Sequence, residues 1–181
     1  MAVLGGSIAR RYAKAIFAIA VEQGNFELLG RQLGELAALW KDSLDLRQTL
    51  ENPVFKLSHK RAVLQGLMPR LAPARQVQSL ALLLLERGRI AALPAVARAY
   101  EEMCDAKLGR ARALVKSAKP LDIASETEIR KALERRTGKK VIMTTVVEPG
   151  LIGGVVAHVA GMVLDGSLAS RLDALRHKLL N

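Results

Sequence analysis

The sequence predicts an α+β protein in two parts: an all-helical first part of about six short helices, residues 1–106, and a small mixed second part, residues 107–181. Apolar residues recur at helical spacing from Ser7 to about Ala106, and near Lys107 the period shifts to alternation. Aromatic residues make up only 3% of a chain that is 50% hydrophobic. Ala and Leu therefore supply most of the apolar volume, which suits close helix packing better than an aromatic-rich β-sandwich.

In the first part the helical pattern is punctuated by Gly24, Asn52 with Pro53, Ser58, Pro69, Pro73, Gly88 and Pro94. Ser7 is placed to cap the first helix and Ser58 the fourth, and Pro94 suits the first turn of the sixth. A helical bundle is the economical packing for such a set.

In the second part Arg110 to Lys116 alternates basic and small apolar residues, as a strand with one solvated face does. Ser125 and Glu128 then form a capping-box pattern that opens a helix from Ile123 to Thr137, closed by Gly138. Three more strands are expected at Val141–Val147, Val155–Val159 and Met162–Leu164. The turns between them hold Glu148, Pro149 and Gly150, then Gly161. Gly166 and Ser167 start a last helix whose Leu168, Leu172, Leu175 and Leu179 form one stripe.

No wholly apolar run, Leu80 to Leu85 included, approaches the roughly 20 residues that cross a bilayer. The start, Met1 to Gly6, lacks the basic region and apolar stretch of a signal peptide, and the segment after it reads as a mature helix. A single cysteine, Cys104, sits in a helical pattern with no histidine nearby in the sequence, which fits a packed residue in a reducing setting. The net charge of +11 favours an acidic partner.

No constellation for catalysis is present in the sequence. Gly138, Lys139 and Lys140 lack the earlier glycine and the Ser/Thr of a phosphate loop, and they lead into a strand where such a loop leads into a helix. The Gly150, Gly153 and Gly154 spacing misses the dinucleotide fingerprint, so tight-turn glycines that let two backbones approach are the better account. His59, His158 and His177 have no metal-ligand neighbour at i+3 to i+5. No catalytic, cofactor or metal residue is assigned, and no cofactor is expected.

The first helix stands out. Ile8, Ala9, Tyr12, Ala13, Ile16, Phe17, Ile19 and Ala20 cover about half its circumference at 100° per residue, with Arg10, Arg11 and Lys14 opposite. A central place in the bundle would account for this, and so would a second apolar face for a partner helix.

Ala9 to Phe17, reading ARRYAKAIF, resembles the opening helix of ATP synthase delta subunits, the family that includes the mitochondrial oligomycin sensitivity-conferring protein. Leu85 to Arg89 with Leu93 and Pro94 is similar to its helix-turn segment. The most specific likeness runs through Thr137 to Val141, Leu151 to Gly154, Val163 to Ser167, and Arg171 with Leu172. The chain departs from the family at Ala169, a position often basic, and at Ala160 and Gly161, in place of a commonly charged turn.

The resemblance implies a non-catalytic stator subunit of a bacterial F-type, proton-translocating ATP synthase, held at the cytoplasmic face of the inner membrane only through the complex. It implies that helices one and five grip the N-terminal tail of an alpha subunit through Ile8, Tyr12, Ala15, Ile16, Ile19, Leu83, Glu86, Arg87, Gly88 and Arg89. The second domain would meet the b subunits of the peripheral stalk through Gly153, Gly154, Asp165, Gly166, Ser167 and Arg171. Either Tyr12, Ala15 and Ile19 or Ala13, Phe17 and Ala20 then face the core, and the resemblance points to the Tyr12 edge as the binding side. The alternative is a basic nucleic-acid-binding protein using Arg110, Arg112 and Lys116. All six aromatics, Tyr12, Phe17, Phe26, Trp40, Phe55 and Tyr100, lie in the helical half, so the basic half has no stacking residue and nucleic acid is not the expected partner.

Overall fold

The computed structural model describes residues 2–159 and 161–168. Among them lie helices α1 (Ala2–Glu22), α2 (Phe26–Asp42), α3 (Leu44–Glu51), α4 (Leu57–Leu71), α5 (Arg75–Glu86) and α6 (Leu93–Lys107), with a 3-10 turn at Ile90–Ala92. Strand β1 (Arg110–Ser117), helix α7 (Ile123–Thr137), and strands β2 (Lys140–Val147), β3 (Val155–Val159) and β4 (Met162–Asp165) follow. The class is thus α+β. The chain divides into two compact units, residues 1–104 and 105–181.

The core of the first unit takes one stripe from each helix, including Ala13 and Ile16 of α1, Leu29 and Leu33 of α2, Leu64 of α4, Val77 and Leu84 of α5, and Val96 and Tyr100 of α6. Phe17 links the packing through edge-on contacts to Phe26 at 6.1 Å and Tyr100 at 5.5 Å between centroids. Burial pushes the Tyr100 phenol well above its usual range, and its hydroxyl donates to the Phe26 carbonyl at 3.0 Å. Gly30 lets that ring lie close, since a Cβ there would stand 3.2 Å from it. Cys104 is buried in the same packing.

Three expected helix signals are placed differently. Ser7 lies inside α1, which begins at Ala2. Ser58 lies in the first turn of α4, whose cap position is Lys56. Asp122, not Ser125, caps α7, its carboxylate accepting from the Ser125 amide at 2.9 Å. A hydroxyl next to an apolar run cannot by itself say which residue leaves the helical conformation. Pro69 does not break α4 either, for it falls near the C-terminal end, and the helix stops at Ala72 in the left-handed conformation. Pro94 does lie in the first turn of α6.

In the second unit the sheet order is β2-β1-β3-β4, with β2 parallel to β1 and the other pairs antiparallel. The parallel pair needs a crossover, and α7 supplies it. Ala111, Ala113 and Val115 of β1, Val141 of β2, and Ala157 and Val159 of β3 form one face, against which Leu133 and Ile129 of α7 pack. The pleat then sends Arg110, Arg112, Leu114 and Lys116 to the opposite face. The helix bounds Ile123–Thr137 are those expected, and β1 and β3 also start where the alternation places them. Of the expected last helix, only Leu168 is described; Leu172, Leu175 and Leu179 lie outside the described residues.

Candidate functional site

The first unit carries an apolar groove of about 430 Å³ between α1 and α5. Tyr12, Ala15, Ile16, Ile19 and Gln23 form one wall, and Arg75, Gln76, Ser79, Leu80 and Leu83 form the other. The geometry follows from helix periodicity. On α1 the residues Ala9, Ala13, Ile16 and Ala20 are buried, so Ala15 and Ile19 are turned about a third of a circle away and stay exposed, Ile19 by 45%. On α5 the run Leu80–Leu85 is too long for one stripe: Leu80, Ala81, Leu84 and Leu85 enter the core while Leu83 is 39% exposed.

The buried α1 residues are mostly alanines, small side chains that let the helix sit close on the core. The rim is polar. Arg89, beyond α5, donates from Nη1 to the Tyr12 hydroxyl at 3.3 Å, and Gln76 of α5 donates to Gln23, just past the end of α1. Arg75 is the one formal charge among the lining residues. Such a trough accepts an apolar helix edge and offers polar groups at its ends.

Of the ten residues expected to grip a tail, Tyr12, Ala15, Ile16, Ile19 and Leu83 line this groove. Ile16 is core as well as groove floor, at 4% exposure. Arg89 reaches the groove only through Tyr12. Ile8 is half-buried and outside the lining; Glu86 pairs with Arg61 of α4; Arg87 is exposed. Gly88 lines a separate hollow with Leu50, Phe55, Leu57 and Ile90. Gln23, Arg75, Gln76, Ser79 and Leu80 are groove residues that the sequence reading missed. Arg75, Gln76, Ser79 and Leu83 share one helical edge at i, i+1, i+4 and i+8, a signal legible only once α5's core face is known.

In the second unit, Gly153, Gly154, Asp165, Gly166 and Ser167 come together where the chain enters β3 and leaves β4. Leu168 donates its amide to Gly153 O at 3.0 Å, Gly166 to Val155 O at 2.9 Å, and Ser167 to the Asp165 carboxylate at 2.8 Å. A Cβ on Gly154, where φ is +82°, would lie 2.4 Å from the Gly166 carbonyl oxygen. The expected close approach of two backbones is therefore present at Gly154, within this unit; Gly153 meets the Leu168 side chain, and a Cβ on Gly150 would meet nothing within 4 Å. Arg171 lies outside the described residues.

Gly138 is the left-handed cap of α7, at φ 66°, and Lys139 leads into β2. Among the described residues no three His, Cys, Asp or Glu side chains cluster as metal ligands, and no helix is long and apolar enough to cross a membrane.

The family model for the ATP synthase delta (OSCP) subunit matches residues 8–179. Among curated proteins, ATP synthase subunit delta of Anaeromyxobacter dehalogenans is 42% identical over 177 residues, covering 98% of this chain and 99% of that protein. The subunit of the same description from Geobacter metallireducens is 35% identical, covering 96% and 97%. A chain of the Toxoplasma gondii mitochondrial ATP synthase hexamer, solved by cryo-EM, superposes with a TM-score of 0.75 at 28% identity, covering 96% of this chain and 97% of that one. A match along nearly the whole length, in sequence and in fold, means that the chain belongs to the ATP synthase delta (OSCP) subunit family and is a non-catalytic subunit of that enzyme complex.

Proposed function

We propose that the chain is a stator element, in which a six-helix bundle docks on the catalytic head and the α+β domain meets the b subunits of the peripheral stalk. Proton flow then stays coupled to ATP synthesis because rotor torque is resisted by extended contacts, with no chemistry in this subunit. The chain would sit at the cytoplasmic face of the inner membrane through the complex alone.

The α1–α5 groove carries this reading. Its partner is the N-terminal tail of an alpha subunit, laid as an amphipathic helix against Tyr12, Ala15, Ile19 and Leu83. Exposed apolar side chains facing each other across a trough are expensive in water, and a helix edge relieves both walls at once. Burial of the groove lining on docking, at roughly 25 cal/mol per Å² of apolar surface, supplies the driving force.

The test is Ala15→Asp. The carboxylate would be buried unpaired only in the complex, so affinity for an alpha-tail peptide should fall by several kcal/mol while the thermal midpoint of the exposed helix position barely moves. A sharp fall in the midpoint would make Ala15 a core residue, and unchanged affinity would remove α1 as the docking surface.

A further inference from the structure

We propose that the outer edge of β2 is a strand-addition site for an extended peptide segment that carries acidic residues at one end and alternating apolar residues along the rest. Among the described residues, strand β2 is the end strand of its sheet and pairs only with β1. The Lys140 amide donates to Gly109 O at 3.1 Å and the Glu148 amide to Ser117 O at 2.8 Å, which fixes the even-numbered residues toward β1. Met143, Thr145 and Val147 therefore turn their N–H and C=O groups outward at a two-residue period. The first outward amide, Val141, is taken by the Glu134 carboxylate at 3.1 Å, so the open ladder begins at Met143.

Strand edges are commonly protected by charge, proline, a bulge or shortness. Edge strand β4 is protected by shortness, spanning four residues. Strand β2 has eight residues, and from Val141 to Val147 it holds no charge, proline or glycine. Ile142 and Val146, on the face opposite α7, are 38% and 44% exposed beside that edge. A strand laid along β2 would extend this apolar face and satisfy the ladder together.

Charge selects the occupant. From Arg130 to Lys140 the chain carries Arg130, Lys131, Arg135, Arg136, Lys139 and Lys140 against Glu134 alone, and all six cations are exposed. Four of them, Arg135, Arg136, Lys139 and Lys140, gather where α7 ends and β2 starts, so a segment docked on β2 meets positive charge at one end and valine and threonine beyond it. An acidic lead followed by apolar alternation matches both. A second copy of this chain laid parallel along β2 would bring its own cations to the same place, and like charges would oppose that pairing; an antiparallel second copy would show as protection that rises with chain concentration alone.

The experiment uses the full chain and a short synthetic peptide of two aspartates followed by alternating valine and threonine, offered also in reverse order. Amide exchange followed by NMR should show Ile142, Thr144 and Val146 protected in the chain alone and Met143, Thr145 and Val147 exchanging readily. Saturating peptide should slow those three at least tenfold. Thr145→Pro and Val147→Pro each remove an outward N–H without touching the β1 ladder. Both should abolish binding, and Lys139→Glu with Lys140→Glu should weaken it at least tenfold. Binding that survives both proline variants, or that leaves the three amides exchanging as before, overturns the proposal. So does a failure of both peptides to bind, protection that appears with chain concentration alone, or binding of single-stranded DNA in their place that only the lysine variants disturb.

Discussion

Gly154 illustrates how one residue's chemistry fixes a junction. Its φ of +82° is a left-handed conformation that glycine adopts without strain, and its missing side chain lets the Gly166 carbonyl approach. The contact is to backbone, which cannot rotate away as the Leu168 side chain beside Gly153 can. Gly154→Ala should therefore cost about 2 to 4 kcal/mol, combining the left-handed penalty with overpacking. Urea denaturation would measure it, and a loss below about 0.5 kcal/mol would show that the β3 and β4 ends separate without penalty. Ala15 stands at the other extreme: it is exposed on the groove wall, and its small side chain leaves the groove open.

At the scale of an element, α7 shows how termini hold a helix that has little apolar surface of its own. Only Leu133 is fully buried, and the first turn depends on the Asp122 carboxylate. Hydrogen bonds from Ser125, first from its side chain and then from its amide, hold that carboxyl below the usual carboxylate range. A group whose folded pKa is depressed adds stability above its unfolded pKa, and that stability is lost as pH falls through the lowered folded value. Asp122→Asn keeps a neutral cap, so the parent should be the more stable at neutral pH and the difference should vanish on acidification below about pH 4. Thermal midpoints of both proteins across that range would check it; a difference that persists in acid would mean that the charge contributes nothing. At α7's other end Arg135 and Arg136 suit the negative end of the helix dipole while supplying half of the cation cluster's first four members.

For the whole molecule, a net charge of +11 raises the question of whether binding is electrostatic at all. A protein that contacts six to ten phosphates loses about a thousandfold or more in affinity between roughly 50 and 200 mM salt. The groove between α1 and α5 has Arg75 as the single charge among its lining residues. Its affinity for an alpha-tail peptide should change by less than about tenfold over the same range. A steep slope in a calorimetric titration, together with tight binding to arbitrary nucleic acid, would count against the stator reading.

The sequence alone determined the class, the α7 bounds, most strand positions and the wide apolar arc of α1, because those depend on periodicity and on local turn chemistry. Gly154, ahead of β3, was legible as a close-approach residue for the same reason, since the glycine spacing there fitted no ligand loop. Which edge of the arc faces inward was not legible: Ala13 and Ala15 are equally apolar, and only packing against the other helices buries one and exposes the other. The α7 cap was misplaced because Asp122 and Ser125 both stand within reach of that helix start, while Ser7 and Ser58 look like caps in sequence although they lie inside their helices. The α5 wall of the groove, Arg75, Gln76 and Ser79, became visible only in the tertiary structure. Polar residues on a helix look solvated in sequence, and whether they border a trough depends on a second helix from distant residues lying beside them.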